Sequence, residues 1–148
     1  MSASGWITLT AFSVNNASVH GLWLPVTDLL PAKRLIKLQA SGNWACFGRA
    51  VPTCGPEGYL DYGVPPDQLM VADSPTGALI GKIGGSTAGR SKDGTLFPIG
   101  TLCVLSPLEK AVPLFVAVNG GGRGGAYEFA DLRIDIFHAE AVASTATA

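Results

Sequence analysis

The sequence predicts an all-β fold, an antiparallel β-sandwich or jelly roll, and three observations carry that reading. Nineteen glycines and ten prolines in 148 residues cut the chain into short pieces. No long stretch keeps a helical period. Several pieces alternate apolar and polar residues, most clearly Leu132, Ile134 and Ile136 against Arg133 and Asp135, which puts one face in a core and the other in solvent.

Taken in order, the expected strands are Gly5–Ser13, Val19–Val26, Arg34–Ala40, Trp44–Phe47, Ala78–Ile83, Leu96–Leu105, Val112–Asn119 and Leu132–Ala139. Turn residues separate them, and about eight such strands suit two packed sheets. Val26–Leu30 is the one weak helical candidate. There is no internal repeat. The reading is a single domain over residues 1–139, followed by a tail at 140–148 (EAVASTATA) that is either disordered or an arm added to a neighbour.

Composition excludes several classes of function. Ten basic and eleven acidic side chains leave a net charge of −1, which gives no electrostatic footprint for nucleic acid or for an anionic membrane. No apolar run reaches the roughly 18 residues that a membrane-spanning helix needs. The opening MSASGWITLTAF lacks the basic region and apolar core of a secretory signal, so the expectation is cytoplasmic synthesis, with the product staying there or leaving on a larger particle. Apolar residues are 47% of the chain and charged ones 14%, against about 25% charged in an average soluble domain. That balance favours a surface partly covered by other subunits, in a homo- or hetero-oligomer.

Three cysteines give no zinc spacing. Cys103, in TLCVL, alternates as a core residue. Cys46 and Cys54 flank a short loop in which a disulfide is conceivable, although reduced thiols are the expectation for a cytosolically made chain. His20 and His138 stand alone and read as structural or surface residues. Gly120, Gly122 and Gly125 satisfy G-x-G-x-x-G, but a strand-like segment rather than a helix follows, so a dinucleotide site is excluded. GGSTA at Gly84–Ala88 places Ala88 where a nucleophile elbow requires glycine. Glu57, Asp61, Asp67 and Asp73 read as solvated loop carboxylates rather than a glycosidase pair. The expectation is a protein that is not an enzyme.

The loop GYLDYGVPPDQ carries more chemistry. Tyr59 and Tyr62 offer apolar platforms for sugar C–H faces, and Asp67 and Gln68 offer groups for hydroxyls. An Ω-type surface loop packed on its own side chains accounts for the same residues.

The pieces GNWACFG at Gly42–Gly48, CGPEG at Cys54–Gly58, PPDQ at Pro65–Gln68, GALIGKIG at Gly77–Gly84 and FPIG at Phe97–Gly100 follow one another in an order and spacing that resembles the small galactophilic bacterial lectin (PA-I type) and the related galactose-binding-like β-sandwich domains. The resemblance covers roughly Arg34 to Phe137. It implies a sugar site at one end of the sandwich, built on a calcium ion. It places a backbone carbonyl of Phe47 and the positions of Asn119, Tyr127 and Glu128 around that ion. The chain departs from the pattern. Asn119 stands where the family has Asp, Tyr127 and Glu128 stand where it has two Asn, and Pro65 replaces a histidine. Arg123 lies between the would-be ligands, and a guanidinium opposes a hard cation.

Two functions follow from these readings. One is a non-catalytic carbohydrate-binding module in which Asp67, Gln68, Asn119 and Arg123 bond a glycan and Tyr59 or Tyr62 is the platform. In it Phe47, Asn119 and Glu128 are what remains of the metal site, and the Arg123 guanidinium, or the glycine loop's own N–H groups, takes the place of calcium. The other is a structural, decoration or tail component of a larger assembly such as a phage-like particle.

Overall fold

The computed structural model describes residues 5–19, 23–45, 53–59, 69–85, 93–119 and 127–141. Alternation along the chain resolves into eight strands among these residues: β1 (Ile7–Val19), β2 (Leu24–Leu30), β3 (Arg34–Ala45), β4 (Leu79–Ile83), β5 (Thr95–Pro98), β6 (Leu102–Leu105), β7 (Val112–Val118) and β8 (Tyr127–Glu140). They form two four-stranded sheets, in the orders β1-β8-β3-β6 and β2-β7-β4-β5. All the pairings are antiparallel. The expected all-β sandwich is what the chain forms.

Strand boundaries differ from the sequence expectations in instructive ways. Val26–Leu30 is not helical: it lies within β2, where Thr27 and Leu30 pair with Leu114 and Val112 of β7. Five residues are too few to nucleate a helix against an available ladder. Arg34–Ala40 and Trp44 belong to one continuous strand, β3. The expected strand Leu96–Leu105 is instead two, split at Gly100, whose φ of 62° is a left-handed conformation that a side chain resists. That break carries the chain from one sheet, in β5, to the other, in β6. Strand β8 begins at Tyr127, earlier than Leu132, and ends at Glu140.

The two inner faces meet in one core. Ile36, Leu38 and Trp44 of β3, with Leu132, Ile134 and Ile136 of β8, pack against Leu79 of β4 and Leu114, Val116 and Val118 of β7. Cys103 packs against this core as expected and is half-buried, which raises its thiol pKa by desolvation. His138 is also structural: its Nδ1 accepts a hydrogen bond from Arg34 Nε at 2.6 Å.

The central strands of the second sheet, β7 and β4, are buried on their outer face too. Trp23, Ile80, Phe115 and Ala117 form a second cluster, and Met70 and Val71 pack against it. Lys82 lies on that side, 0% exposed. Its Nζ donates to Asp93 Oδ1 at 2.7 Å and stands 5.1 Å from the Trp23 ring centroid and 5.2 Å from that of Phe115. The ammonium is stabilised by one carboxylate and two ring faces, while the methylene stem fills apolar space. Asp93 stays 43% exposed, so water screens its half of the pair. Lys82→Ala is expected to lower the unfolding free energy by about 2–4 kcal/mol, and Lys82→Met, which keeps the stem volume, by less than half of that. Urea denaturation measures both; equal losses would assign the effect to the charge rather than the stem.

Candidate functional site

Trp44 sits at the end of β3, fully buried, and begins the construction of one end of the sandwich. Its backbone bonds Cys54 in both directions, at 3.0 and 2.9 Å, and draws residues 53–59 alongside the strand. Its indole Nε1–H donates to the Gly77 carbonyl at 2.8 Å, meeting the partner requirement of a buried tryptophan. Cys54 Sγ lies 3.6 Å from the same oxygen.

Gly77 has φ 86°, and a Cβ there would lie 2.7 Å from the Tyr59 ring and 2.9 Å from Cys54 Sγ. Only glycine fits this joint. The Gly77 N–H donates to the Asn119 carbonyl at 2.7 Å, and Asn119 N–H donates to Ala78 O at 2.9 Å. One residue therefore ties β3 of the first sheet to the end of β7 in the second.

Asn119 is 0% exposed. Its Oδ1 accepts the amides of Met70 and Val71, both at 3.0 Å. Its Nδ2 donates to the carbonyls of Val71, Ser74 and Pro75 at 2.9, 3.0 and 3.3 Å. Donors face one side-chain atom and acceptors the other, so the orientation of the amide is fixed by its surroundings. Asn119 was expected to meet sugar or calcium. The structure instead engages its side chain in closing the segment 70–75, and as a calcium ligand it does not fit, since its one side-chain oxygen already takes two N–H groups. The sequence held a signal for this role: Asn119 directly follows the apolar run VPLFVAV, so a buried, locally bonded amide is the natural consequence.

Tyr59 is half-buried, packs on the main core, and its N–H donates to Thr76 O at 2.9 Å. The side of its ring toward Gly77 belongs to the fold. Glu128 lies within β8, opposite Ala45 of β3 and Ser18 of β1, rather than in a loop before the last strand. Phe47, Tyr62, Asp67, Gln68 and Arg123 lie outside the described residues, as do Cys46 and Pro65. What the structure does place is the root of each loop that carries them. Residues 46–52 are bounded by Ala45 and the Cys54 bridge, residues 60–68 by Tyr59 and Met70, and residues 120–126 by Asn119 and Tyr127. The hydrogen bonds just described gather these roots at one end of the sandwich.

Exposed charged groups on the described segments of this end include Glu57, Asp73 and Asp131, whose Oδ1 accepts the Asn43 N–H at 3.0 Å. No group of three or more His, Cys, Asp and Glu comes together among the described residues.

No family model matches the sequence, and no curated protein matches it by sequence. A solved structure described as "EclA N-terminal domain; PllA-like lectin" is similar in fold, with a TM-score of 0.50 and 13% sequence identity over 92% of this chain and 99% of that one. Identity at this level shows the shared fold, which is lectin-like.

Asn119→Asp replaces an amide donor by a carboxylate oxygen against three carbonyls. It is expected to cost about 3 kcal/mol or more in urea denaturation and to speed hydrogen exchange at the Met70 and Val71 amides. Native-like protection of those two amides would show that the clamp is not what holds the segment.

Proposed function

We propose that this chain is a non-catalytic carbohydrate-binding module that recognises its glycan at the loop end described above. The observation that supports it most is the convergence of three loop roots on the Gly77 joint, in a sandwich whose fold is lectin-like. The loops contribute what a sugar site needs: Asp67 and Gln68 for hydroxyls, Arg123 as a charged donor, and Tyr62 as a platform, with the outward part of Tyr59 beside it. Similarity to the PA-I type of lectin belongs to this reading, and so does its main departure. With the Asn119 side chain engaged inside the fold, recognition proceeds through direct hydrogen bonds without a calcium ion, and a cationic Arg123 takes part in place of the metal.

A second reading, a building block of a larger assembly, is favoured by a separate observation. The exposed large hydrophobic residues among those described, Ile7, Leu29, Leu102 and Val104, all lie on strands at the edges of the two sheets.

A glycan array probed with and without a chelator tests the first reading. Binding of a defined glycan is expected, unchanged by the chelator. Gln68→Ala and Asp67→Ala are each expected to weaken it at least about tenfold, the loss of one or two hydrogen bonds to a charged or polar group, with melting temperature preserved. Silence on all glycans at millimolar probe would overturn the proposal.

A further inference from the structure

Among the described residues, strand β6 ends the order of its sheet, with β3 on one side and no strand of that sheet on the other. The ladder fixes which backbone groups face outward. Ala40 N–H donates to Thr101 O at 2.9 Å, and Leu38 and Ile36 are the Cα partners of Cys103 and Leu105. In an antiparallel pair hydrogen-bonded and non-bonded positions alternate. Residues 101, 103 and 105 therefore direct their N–H and C=O groups to β3, and Leu102 and Val104 direct theirs to the open edge. The side chains of these same two residues are 56% and 52% exposed.

Natural edge strands are usually guarded by a lysine, a proline or an inward charge. The sequence TLCVL has none. The nearest cation is Lys37, which pairs with Val104 on one side and Phe137 on the other. Its Nζ lies 4.7 Å from the Phe137 ring centroid and 4.8 Å from that of Trp6, so it is drawn away from β6 toward β8. Among the described residues, no charged side chain is placed over the apolar edge.

We propose that two copies of this chain join edge to edge through β6, antiparallel, with Cys103 on the two-fold axis. A second copy is the occupant that the edge itself specifies, because the outward groups at Leu102 and Val104 complement their own two-fold image. Leu102 of each copy meets Val104 of the other as a hydrogen-bonded pair, making four N–H···O bonds in all. Their exposed side chains cover one another on the outer face, and no like charges face each other. The result is one continuous eight-stranded sheet. The loop end at Trp44 lies six residues along β3 from Leu38, the partner of Cys103, which is roughly 20 Å at strand rise. The two loop ends therefore point away from the dimer axis in opposite directions and remain open. The interface stands whatever the loops bind.

The register makes a chemical test available. Cys103 faces Cys103 of the second copy at a non-hydrogen-bonded position, where Cα atoms approach to about 4.5 Å, within the roughly 4.4–6.8 Å that a disulfide spans. With copper–phenanthroline as oxidant in mildly alkaline buffer, two thiols lose two protons and two electrons to the copper complex and form one S–S bond. A covalent dimer is expected on a non-reducing gel, absent from Cys103→Ser and at least about fivefold reduced in Val104→Lys. Without oxidant, sedimentation over a concentration series is expected to show a monomer–dimer equilibrium at the weak end of the range, as four bonds and a small apolar contact imply. Val104→Lys should move its midpoint at least tenfold, and an unchanged melting curve would show that the variant is folded. A monomer at every concentration, a cross-link that survives Cys103→Ser, or a dimer indifferent to Val104→Lys would each overturn the proposal.

Discussion

The end of the sandwich at Trp44 is organised around one residue, Gly77. Its carbonyl takes the indole N–H of Trp44, its N–H is held by the Asn119 carbonyl, and the space where a side chain would stand is filled by Tyr59 and Cys54. The two sheets, which pack through apolar side chains, are here also joined by directional bonds in a dry environment, where such bonds are strong and costly to leave unmade. Asn119 extends the joint outward by closing residues 70–75, so that the segment beside the loops is as fixed as a strand.

The two sheets carry different burdens. The central strands β7 and β4 of the β2-β7-β4-β5 sheet are covered on both faces, which explains why β7 is buried along Leu114–Val118 and why a lysine in β4 must find an aromatic and acidic environment. The β1-β8-β3-β6 sheet is covered on its inner face only, and its outer face alternates Lys37, Arg133 and Asp135 with apolar residues in the ordinary way of a half-solvated antiparallel sheet. The low charged fraction of the chain follows in part from these doubly buried strands.

Strands were legible in the sequence where alternation was strong, as in β8 and β3, because a period of two has one physical solution. They were misread where the evidence was local. The apolar spacing of Val26, Leu29 and Leu30 suggests a helical turn, but β7 offers a ladder that no single-segment pattern reveals. Leu96–Leu105 looked like one strand because nothing in composition says that Gly100 turns the chain from one sheet to the other. Of the candidate site residues expected from the sequence, Tyr59 and Asn119 are described with their side chains, and both are engaged in the fold. What the sequence did not show is the work the Asn119 side chain does in closing residues 70–75. An amide at the end of a buried strand and an amide in a sugar site are the same residue type, and only the positions of Met70, Val71, Ser74 and Pro75 separate the two roles. Lys82 was likewise a visible anomaly, a charge inside LIGKI, whose resolution depended on Trp23 and Asp93 from elsewhere in the chain.

The central claim is that ligand recognition takes place on the base organised by Gly77. The most direct test is a titration of the isotope-labelled protein with a glycan selected on an array, followed by amide chemical shifts. The account predicts that the shifted amides cluster at Ala45, Tyr59, Met70, Val71, Gly77 and Asn119 and in the loops between them, with those of β6 unmoved. Shifts centred on the outer face of either sheet, with the amides around Gly77 unchanged, would contradict it.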